Sequence, residues 1–596
     1  MAKLENPRAR LAALRPSDYL LIAGWLVASV TLFVEAYKVR FLLSNVDGIS
    51  YISIAENYFA GRFDEAVNAY WSPLISWSML PFMAAGADSL FAMALASATW
   101  ASLGIAAGTF LVWRWTRHSV VATATIGVVL SVFAVGNLTS TTPDLILASW
   151  TAIFALVLVE ANERLGAGSR RGQILFGAVL GVTCAVGYFA KAFALPLFAV
   201  VGIAWIVVRL LATRAAHPRG QRRAPIVRQL WMPLAALAAL VLIAGPFVTA
   251  LSVKYGGPTL GSSFQVNTMG PFEPTTDAAS GVSLELAPPP SPHSISFSDD
   301  RTAVLTDGSA VDAGSTSGSA IERAVQYAAL RLRVLPFYLA KIEAVAPFAP
   351  VIGALFVILL GLRVIDPRRH RAAVLVGTVL VVYFLGYWAS TSSLEREGNY
   401  RYHWPELVLS TIVAALLWPA VLARARAAGR WWSSATAGAL IAVLIVSTLA
   451  QHAVNYFPFT TERPSASVSY VVKDPVPEPA SRIFAEKLVA DGVVAPWSKI
   501  VGSTGWKDRT LIYAFYMRAQ LFGRRVPHDI HDPRFIENMQ KLGIDYYFLY
   551  EPTGSPTLDV SAWGRVKATY EMPYACGPSG SSTSTTCRLS IVALTR

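Results

Sequence analysis

Acidic residues stand where two long apolar segments of this chain end or begin. Asp47 follows the first such segment, at about 18–37, and Asp144 follows Pro143 at the start of a later one. A carboxylate at the edge of the hydrocarbon avoids the cost of a charge at the bilayer centre, and it is still able to meet a lipid-borne substrate. Both positions are also ordinary helix starts, Asp47 as an N-cap and Asp144 as the residue after a helix-initiating proline.

Basic residues occur at similar places. Lys191 lies between two apolar segments, on the side that is otherwise poor in basic residues, and a cation with apolar neighbours needs an anion such as a lipid phosphate. The alternative is a lysine that extends its ammonium group to the membrane surface. Before a late apolar segment, Arg401 is able to bind a phosphate in a bidentate manner, with Tyr400 or Tyr402 hydrogen-bonding to it. His403 has no obvious partner cluster and is expected at the membrane interface.

The composition indicates which elements position these residues. Hydrophobic residues make up 54% of the 596 residues and charged residues 15%, and the mean hydropathy is +0.47, which excludes an ordinary soluble globular protein. Several apolar runs are long enough to cross ~30 Å of hydrocarbon as helices. We expect about eleven crossings, at 18–37, 89–113, 119–136, 145–160, 173–190, 192–211, 231–253, 346–363, 372–390, 405–422 and 434–451.

The net charge of +13 does not indicate a nucleic-acid partner, because the basic residues cluster in alternate loops between the apolar segments. This positive-inside pattern predicts a cytoplasmic N-terminus. An odd number of crossings then places the C-terminal residues outside.

Two regions follow from this pattern. Residues 1–454 form a membrane domain with a first outer loop at 38–88 and a long outer loop at 254–339, much of which lacks periodicity and is expected to be partly disordered. Residues 455–596 are expected to form a small extracytoplasmic α/β domain. Its predicted strands lie at 499–503, 545–550, 566–571 and 588–594, and its predicted helices at 511–522 and 533–542.

Short sequence features predict a helix and a disulfide. Tyr51, Ile54 and Tyr58 fall at helical spacing in the first outer loop and predict an amphipathic helix lying on the membrane surface. Cys576 and Cys587 flank a loop rich in Gly, Ser and Thr, and their outside location predicts a disulfide. No metal site is expected from two cysteines without nearby histidines.

The order of acid, aromatic, acid and Gly-Arg in residues 47–62, closed by Tyr-Trp-Ser-Pro-Leu at 70–74, resembles the first extracytoplasmic loop of the GT-C glycosyltransferases. The likeness is to the branch of protein O-mannosyltransferases and lipid A aminoarabinose transferases. Asp144, Lys191 and the Arg-Tyr-x-x-Pro run at 401–405 are similar to further family positions. Relatives of the aminoarabinose type often have Lys-Pro-Pro where this chain has Trp-Ser-Pro, so no lysine is expected to bind phosphate there.

The resemblance implies a GT-C-like membrane enzyme that takes a sugar from a polyprenyl phosphate, with inversion, no cofactor and no obligatory metal. It also implies a bacterial inner-membrane location, an extracytoplasmic active site, and a lipid, glycan or protein acceptor. Asp47 would be the catalytic base, with Glu56 and Asp144 as further catalytic candidates. Glu56 would either orient the substrate or be a solvated surface acid. Tyr51, Trp71 and His403 would join the substrate-binding residues.

Two rival functions stay open at this point. One is an arabinofuranosyl- or mannosyltransferase of envelope polysaccharide from another GT-C branch. The other is a lipid or glycan transporter, which would carry its charges near the middle of the membrane helices and show mirrored broken helices. In this chain the charged residues fall at one outer rim, which favours an enzyme.

Overall fold

The structure of the chain is a computed structural model, which describes residues 15–43, 46–116, 119–167, 169–216, 223–263, 286, 288–296, 328–329, 331–333, 335–336, 338–340, 342, 349–361, 370–390, 399–427, 480–503, 509–523, 530–575 and 586–595. Two compact units divide the chain. The first comprises Met1–Lys38, Ala94–Val253 and Gly318–Arg463. The second comprises Val39–Met93, Lys254–Ser317 and Pro464–Arg596.

Sixteen α-helices and five strands are described along the chain. The helices are α1 Pro16–Lys38, α2 Asp47–Phe59, α3 Phe63–Ala66, α4 Leu74–Ala84, α5 Ser89–Trp115, α6 Val120–Asn137, α7 Asp144–Ala167, α8 Arg170–Ala190, α9 Ala194–Ala216, α10 Arg223–Lys254, α11 Ala349–Gly361, α12 Arg371–Ser390, α13 Trp404–Ala427, α14 Ala480–Ala490, α15 Arg509–Met517 and α16 Pro533–Lys541. A 3₁₀ turn at Asn399–His403 precedes α13. The strands are β1 Lys499–Gly502, β2 Gln520–Leu521, β3 Tyr546–Pro552, β4 Gly564–Ala575 and β5 Thr586–Leu594.

Long apolar helices confirm a polytopic membrane protein. Eight of them, α1, α5 to α10 and α12, are long and apolar enough to cross a bilayer. Helix α13 matches the predicted crossing at 405–422 but is not among the eight. The predicted crossing at 346–363 is described only from Ala349, and the one at 434–451 lies outside the described residues. The predicted count of eleven therefore stays a prediction.

In the first unit, α7, α12 and α13 pack against one another, and α7 also packs against α8. Their contact surfaces are apolar, and the side chain of Trp150 in α7 is fully enclosed. The Trp150 indole donates a hydrogen bond to the Thr183 carbonyl of α8 at 3.0 Å, so its buried N–H has a partner. One end of each of these four helices lies close to the ends of the others, and charged residues lie at those ends.

The second unit contains the predicted C-terminal sheet. Its strand order is β2-β1-β3-β5-β4, with β1 parallel to β2 and β3, and with β5 antiparallel to β3 and β4. Helix α16 packs on this sheet through Phe535 and Met539. Asp532 caps α16 by accepting a hydrogen bond from the Arg534 N–H at 2.8 Å, and Pro533 takes the first helical position, as the sequence pattern indicates.

The predicted α/β character of the C-terminal region is confirmed, with one correction. The predicted helix at 511–522 ends at Met517, and its last residues form the two-residue strand β2. Contacts group residues 464–596 with Val39–Met93 and Lys254–Ser317 in the second unit. The predicted domain boundary between residues 454 and 455 stays a prediction.

Helix α2 confirms the helical spacing in the first outer loop but does not lie on a surface with one face exposed. Every residue from Gly48 to Ala55 is buried, and so is Asn57. The Ser76 hydroxyl of α4 donates a hydrogen bond to the Tyr51 carbonyl at 2.8 Å. An amphipathic surface helix was expected because its apolar residues recur at helical spacing, but its small polar residues, such as Ser50 and Ser53, are enclosed as well.

Candidate functional site

Three charged residues that are far apart in the sequence meet in the first unit. The Lys191 ammonium lies 2.8 Å from Asp144 Oδ1, and Arg401 Nε lies 3.2 Å from Asp144 Oδ2. The Thr142 hydroxyl also donates a hydrogen bond to Asp144 Oδ2 at 2.8 Å. We call Asp144, Lys191 and Arg401 the charged cluster.

Each member of the charged cluster sits at the end of a helix. Asp144 is the first residue of α7, and the Leu147 N–H already donates to the Pro143 carbonyl at 2.8 Å. Lys191 follows α8 in an extended conformation, so the chain breaks there before α9 begins at Ala194. Arg401 lies in the 3₁₀ turn before α13. Such positions keep the charges near helix ends rather than at the middle of an apolar helix.

A glycine lets α8 approach α7 just before Lys191. A Cβ atom built at Gly187 would lie 2.4 Å from the Trp150 ring and 2.6 Å from the Phe198 ring, far inside van der Waals contact. Gly187 also accepts the hydrogen bond from the Lys191 N–H at 2.9 Å. A larger side chain would therefore push the end of α8, and Lys191 with it, away from Asp144.

Aromatic rings surround the lysine of the charged cluster. The Lys191 ammonium lies 4.1 Å from the centre of the Tyr402 ring and 5.7 Å from that of Tyr387, close enough for cation–π attraction. Phe193 packs on Tyr387 with ring centres 4.2 Å apart. The Tyr383 hydroxyl donates a hydrogen bond to the Tyr402 carbonyl at 3.0 Å, which holds the 3₁₀ turn against α12.

Among the residues that the structure describes, the charged cluster sets one carboxylate against two cations. The Asp144 side chain is 3% exposed, whereas those of Arg401 and Lys191 are 16% and 25% exposed. Burial favours a neutral lysine, but the Asp144 carboxylate outweighs it and holds the pKa of Lys191 well above its ordinary value. The ammonium is therefore charged at neutral pH. An arrangement of this kind suits an anion that approaches from the more exposed, cationic side.

His403 does not stand alone, contrary to expectation. It is buried, its Nδ1 lies 2.7 Å from Glu406 Oε2, and its ring packs edge-on against Tyr338 with centres 4.8 Å apart. The Tyr338 hydroxyl donates to the other oxygen of Glu406 at 3.4 Å. Sequence reasoning missed Glu406, although a His and a Glu three residues apart at a helix start are neighbours on one face. Because His403 ends the turn that carries Arg401, this pair stabilises the turn.

The remaining predicted residues of the first outer loop lie in the second unit. Asp47 is the first residue of α2, and the N-cap position is Val46, so Asp47 is not the N-cap. Tyr51 and Trp71 are both buried, and their rings meet edge-on with centres 5.0 Å apart. Glu56 accepts two hydrogen bonds from the Arg518 guanidinium, at 2.7 and 2.8 Å. It is thus not a solvated surface acid.

Several predicted roles are left as predictions. The catalytic role of Asp47 and the substrate contacts of Tyr51, Trp71, Tyr402 and His403 stay predictions. Tyr400 belongs to the 3₁₀ turn, and its side chain lies outside the described residues. Cys587 is buried on β5, but its predicted partner Cys576 also lies outside them. Within the part of the chain that the structure describes, no group of three or more His, Cys, Asp or Glu residues could hold a metal ion.

A small cleft in the second unit, lined mostly by polar residues, was not foreseen. Glu65 lies on it and accepts hydrogen bonds from the Ser291 hydroxyl at 2.6 Å and from His293 Nδ1 at 3.1 Å. Lys254 also lies on it and donates to the Asp64 and Val67 carbonyls, each at 2.6 Å. Its other lining residues are Ser53, Ile54, Asn57, Pro290, Ser291 and Ser294. These contacts join residues 187 to 228 positions apart, for which the sequence carries no local signal.

Comparison of the whole structure with solved structures finds the same fold in ArnT from Cupriavidus metallidurans. The structure of ArnT bound to undecaprenyl phosphate superposes with a TM-score of 0.53 and 15% sequence identity, covering 97% of this chain and 98% of that chain. The apo structure of ArnT gives a TM-score of 0.53 and 16% identity over the same shares. No protein-family model matches the sequence. No curated protein matches it either. The GT-C-like fold that the sequence motifs implied is therefore confirmed.

Proposed function

We propose that this chain is an integral-membrane glycosyltransferase that moves a sugar from a polyprenyl phosphate to an extracytoplasmic lipid, glycan or protein. The observation that carries the proposal is the charged cluster, in which Lys191 and Arg401, both at helix ends, converge on one buried carboxylate. A phosphate on a membrane lipid is the anion that reaches such a position. The ArnT structure with the same fold was solved with undecaprenyl phosphate bound, which supports a polyprenyl carrier.

The reaction requires one bond to form and one to break at the anomeric carbon. The acceptor oxygen attacks the anomeric carbon while the bond between that carbon and the phosphate oxygen breaks. The polyprenyl phosphate leaves with the electron pair of the broken bond. A single displacement of this kind inverts the configuration. Lys191 and Arg401 stabilise the charge that develops on the leaving phosphate. Asp47 takes the proton from the acceptor hydroxyl.

The two acids of the proposal have different surroundings. Asp144 is enclosed and engaged by two cations and the Thr142 hydroxyl, so its role is to hold Lys191 and Arg401 in place rather than to accept a proton. Asp47 is only partly buried at the start of α2. A carboxylate at the first position of a helix interacts favourably with the positive end of the helix dipole.

The position of the charges also bears on a transport function. Asp144 opens α7, Lys191 follows α8, and Arg401 precedes α13. A transporter is expected to hold coupling or substrate charges near the bilayer midplane, between discontinuous helices. The helix-end positions favour surface chemistry on a lipid headgroup. We place the protein in a bacterial inner membrane with a cytoplasmic N-terminus and an extracytoplasmic C-terminal region.

Binding of undecaprenyl phosphate to the detergent-solubilised protein tests the phosphate site, with uncharged undecaprenol as the comparison ligand. Lys191→Met is expected to weaken binding of the phosphate by about 10- to 100-fold, the range for one charge-assisted contact of roughly 1.5–3 kcal/mol. Undecaprenol binding should not change. Lys38→Met is the matched control, because Lys38 is an exposed lysine paired with Glu35 at the end of α1. Equal phosphate affinity in wild type and Lys191→Met would refute the site.

Asp47→Asn tests the base. Release of undecaprenyl phosphate from undecaprenyl-phosphate mannose, glucose and aminoarabinose is measured by mass spectrometry. The variant should release product at least ~100-fold more slowly, the scale for losing a positioned base. Its binding of undecaprenyl phosphate should match that of wild type. Turnover within a few fold of wild type would remove Asp47 from the proposed mechanism.

A further inference from the structure

Residues of the C-terminal region hold the last turn of α2. Arg518 Nη1 and Nη2 donate to the two carboxylate oxygens of Glu56 at 2.7 and 2.8 Å, a bidentate ion pair. The Ser89 hydroxyl at the start of α5 donates to the same carboxylate. The side chains of Glu56 and Arg518 are 22% and 41% exposed, so the pair is partly shielded from water. The carboxylate is therefore fixed from two directions.

The chain just before α2 is held by the same region. The Tyr516 hydroxyl, in α15, donates a hydrogen bond to the Phe41 carbonyl at 2.9 Å. The Arg482 guanidinium, in α14, lies 3.8 Å from the centre of the Phe41 ring. Phe41 precedes Asp47 by six residues. We call Arg482, Tyr516 and Arg518 the α2 anchor.

Arg518 occupies a backbone position that disfavours its side chain. It follows the last residue of α15 with φ +56°, a left-handed conformation that helix ends usually give to glycine. The Ala519 N–H donates to the Ala514 carbonyl at 2.8 Å, which completes a Schellman-type helix end. The Trp497 N–H donates to the Arg518 carbonyl at 2.6 Å and holds this conformation further. A residue kept in an unfavourable conformation indicates that its side chain is needed.

The anchored helix carries the proposed base. Helix α2 has 13 residues and is enclosed along most of its length, so it moves as a rigid rod of about 20 Å. A displacement of its last turn is transmitted to Asp47 at its first. A misplacement of about 1 Å at a reacting group can lower a rate by roughly 100-fold.

We propose that the C-terminal region acts as a positioning element for the reaction, in which the α2 anchor fixes the placement of the helix that begins with Asp47. Glu56 is then a positioning residue rather than a catalytic acid. This inference rests on the proposed function for its effect on turnover. The anchoring of α2 itself does not rest on it.

Arg518→Gly separates positioning from stability, because glycine relieves the left-handed conformation while it removes the ion pair. Hydrogen exchange of the full-length protein, without substrate, should be at least tenfold faster in the peptides that cover 47–59. The thermal midpoint should stay within one or two degrees of wild type or rise, since glycine suits the helix end. Lys541→Met is the matched control, because it removes an exposed ion pair with Glu537 on α16 of the same region. It should leave exchange in 47–59 unchanged.

Turnover gives the second readout, with the same three undecaprenyl-phosphate sugars. Arg518→Gly should lower kcat by about 10- to 100-fold and change the donor KM by less than twofold, and Arg518→Lys should restore part of the loss. Unchanged exchange in 47–59 would overturn the anchor, and unchanged kcat with faster exchange would overturn its positioning role. A fall in kcat that follows a lowered thermal midpoint would show plain destabilisation. If wild type releases no product from any donor, the proposed function fails, and the exchange experiment still decides the anchor.

Discussion

Removal of the carboxylate from the charged cluster should destabilise the protein more than removal of one cation, and removal of Lys191 as well should restore part of that loss. In Lys191→Met the Asp144 carboxylate stays buried and loses its partner at 2.8 Å. Breaking a buried ion pair on one side costs about 3–5 kcal/mol. Arg401 at 3.2 Å and the Thr142 hydroxyl at 2.8 Å remain in place, so we expect the low end, about 3 kcal/mol.

The partial exposure of the lysine lowers that cost further, since its side chain is 25% exposed and water is able to reach the space it leaves. A loss of about 2–3 kcal/mol follows. Asp144→Asn keeps the hydrogen bond from Thr142 but takes the shared carboxylate away from Lys191 and Arg401, so it should cost more than Lys191→Met. Lys191→Met added to Asp144→Asn removes one of the two cations and their mutual repulsion, so the double variant should be more stable than Asp144→Asn, although each single variant destabilises.

The assay is the unfolding midpoint in detergent micelles for wild type, both single variants and the double variant, which form a double-mutant cycle. Lys38→Met again serves as the control and should shift the midpoint little, because exposed pairs contribute about 0–1 kcal/mol. A double variant that is no more stable than Asp144→Asn would refute the view that the carboxylate holds two mutually repelling cations together.

Two further predictions concern the second unit. Cys576 and Cys587 should be disulfide-bonded in exported protein, and mass spectrometry that finds both as free thiols without reduction would contradict the pairing or the outside location. Burial alone would raise the pKa of Glu65, but hydrogen bonds from Ser291 and His293 outweigh it and hold the pKa below its ordinary value of 4.5. The Glu65 carboxylate therefore contributes stability to the folded protein. That stability is fully present above pH 4.5 and is lost as the pH falls through the lower pKa of the folded state. Glu65→Gln should therefore lower the thermal midpoint at neutral pH, with a difference from wild type that shrinks as the solution is acidified below about pH 4.

Sequence patterns predicted those helices and strands whose formation depends mainly on the residues of their own segment. Aromatic residues predicted the strand at 545–550, and a capping aspartate followed by proline predicted the helix at 533–542. Both elements occur within two residues of the predicted bounds. Strand β2 was missed because two residues carry no periodicity. It exists because Lys499 and Ile500 offer it backbone partners in β1.

The charged residues also show that contacts between distant segments are not visible in the sequence. Asp144, Lys191 and Arg401 were predicted to lie together at one outer rim, because helix ends and charge patterning are visible in the sequence. The pairing of both cations with the Asp144 carboxylate was not visible, since it depends on how α7, α8 and α13 pack. The Glu56–Arg518 pair is separated by 462 residues, and no pattern in the sequence links its members.

The charge of the cluster fits the direction of the proposed reaction. A polyprenyl-phosphate sugar is a phosphodiester with about one negative charge, whereas the polyprenyl phosphate that leaves is a monoester with about −1.5 to −2. Lys191 and Arg401 therefore interact more strongly with the leaving group than with the bound donor. Only interactions that strengthen toward the transition state raise the rate of the chemical step. Asp144 reduces the mutual repulsion of the two cations and fixes their positions, so that both are already in place when the glycosidic bond breaks.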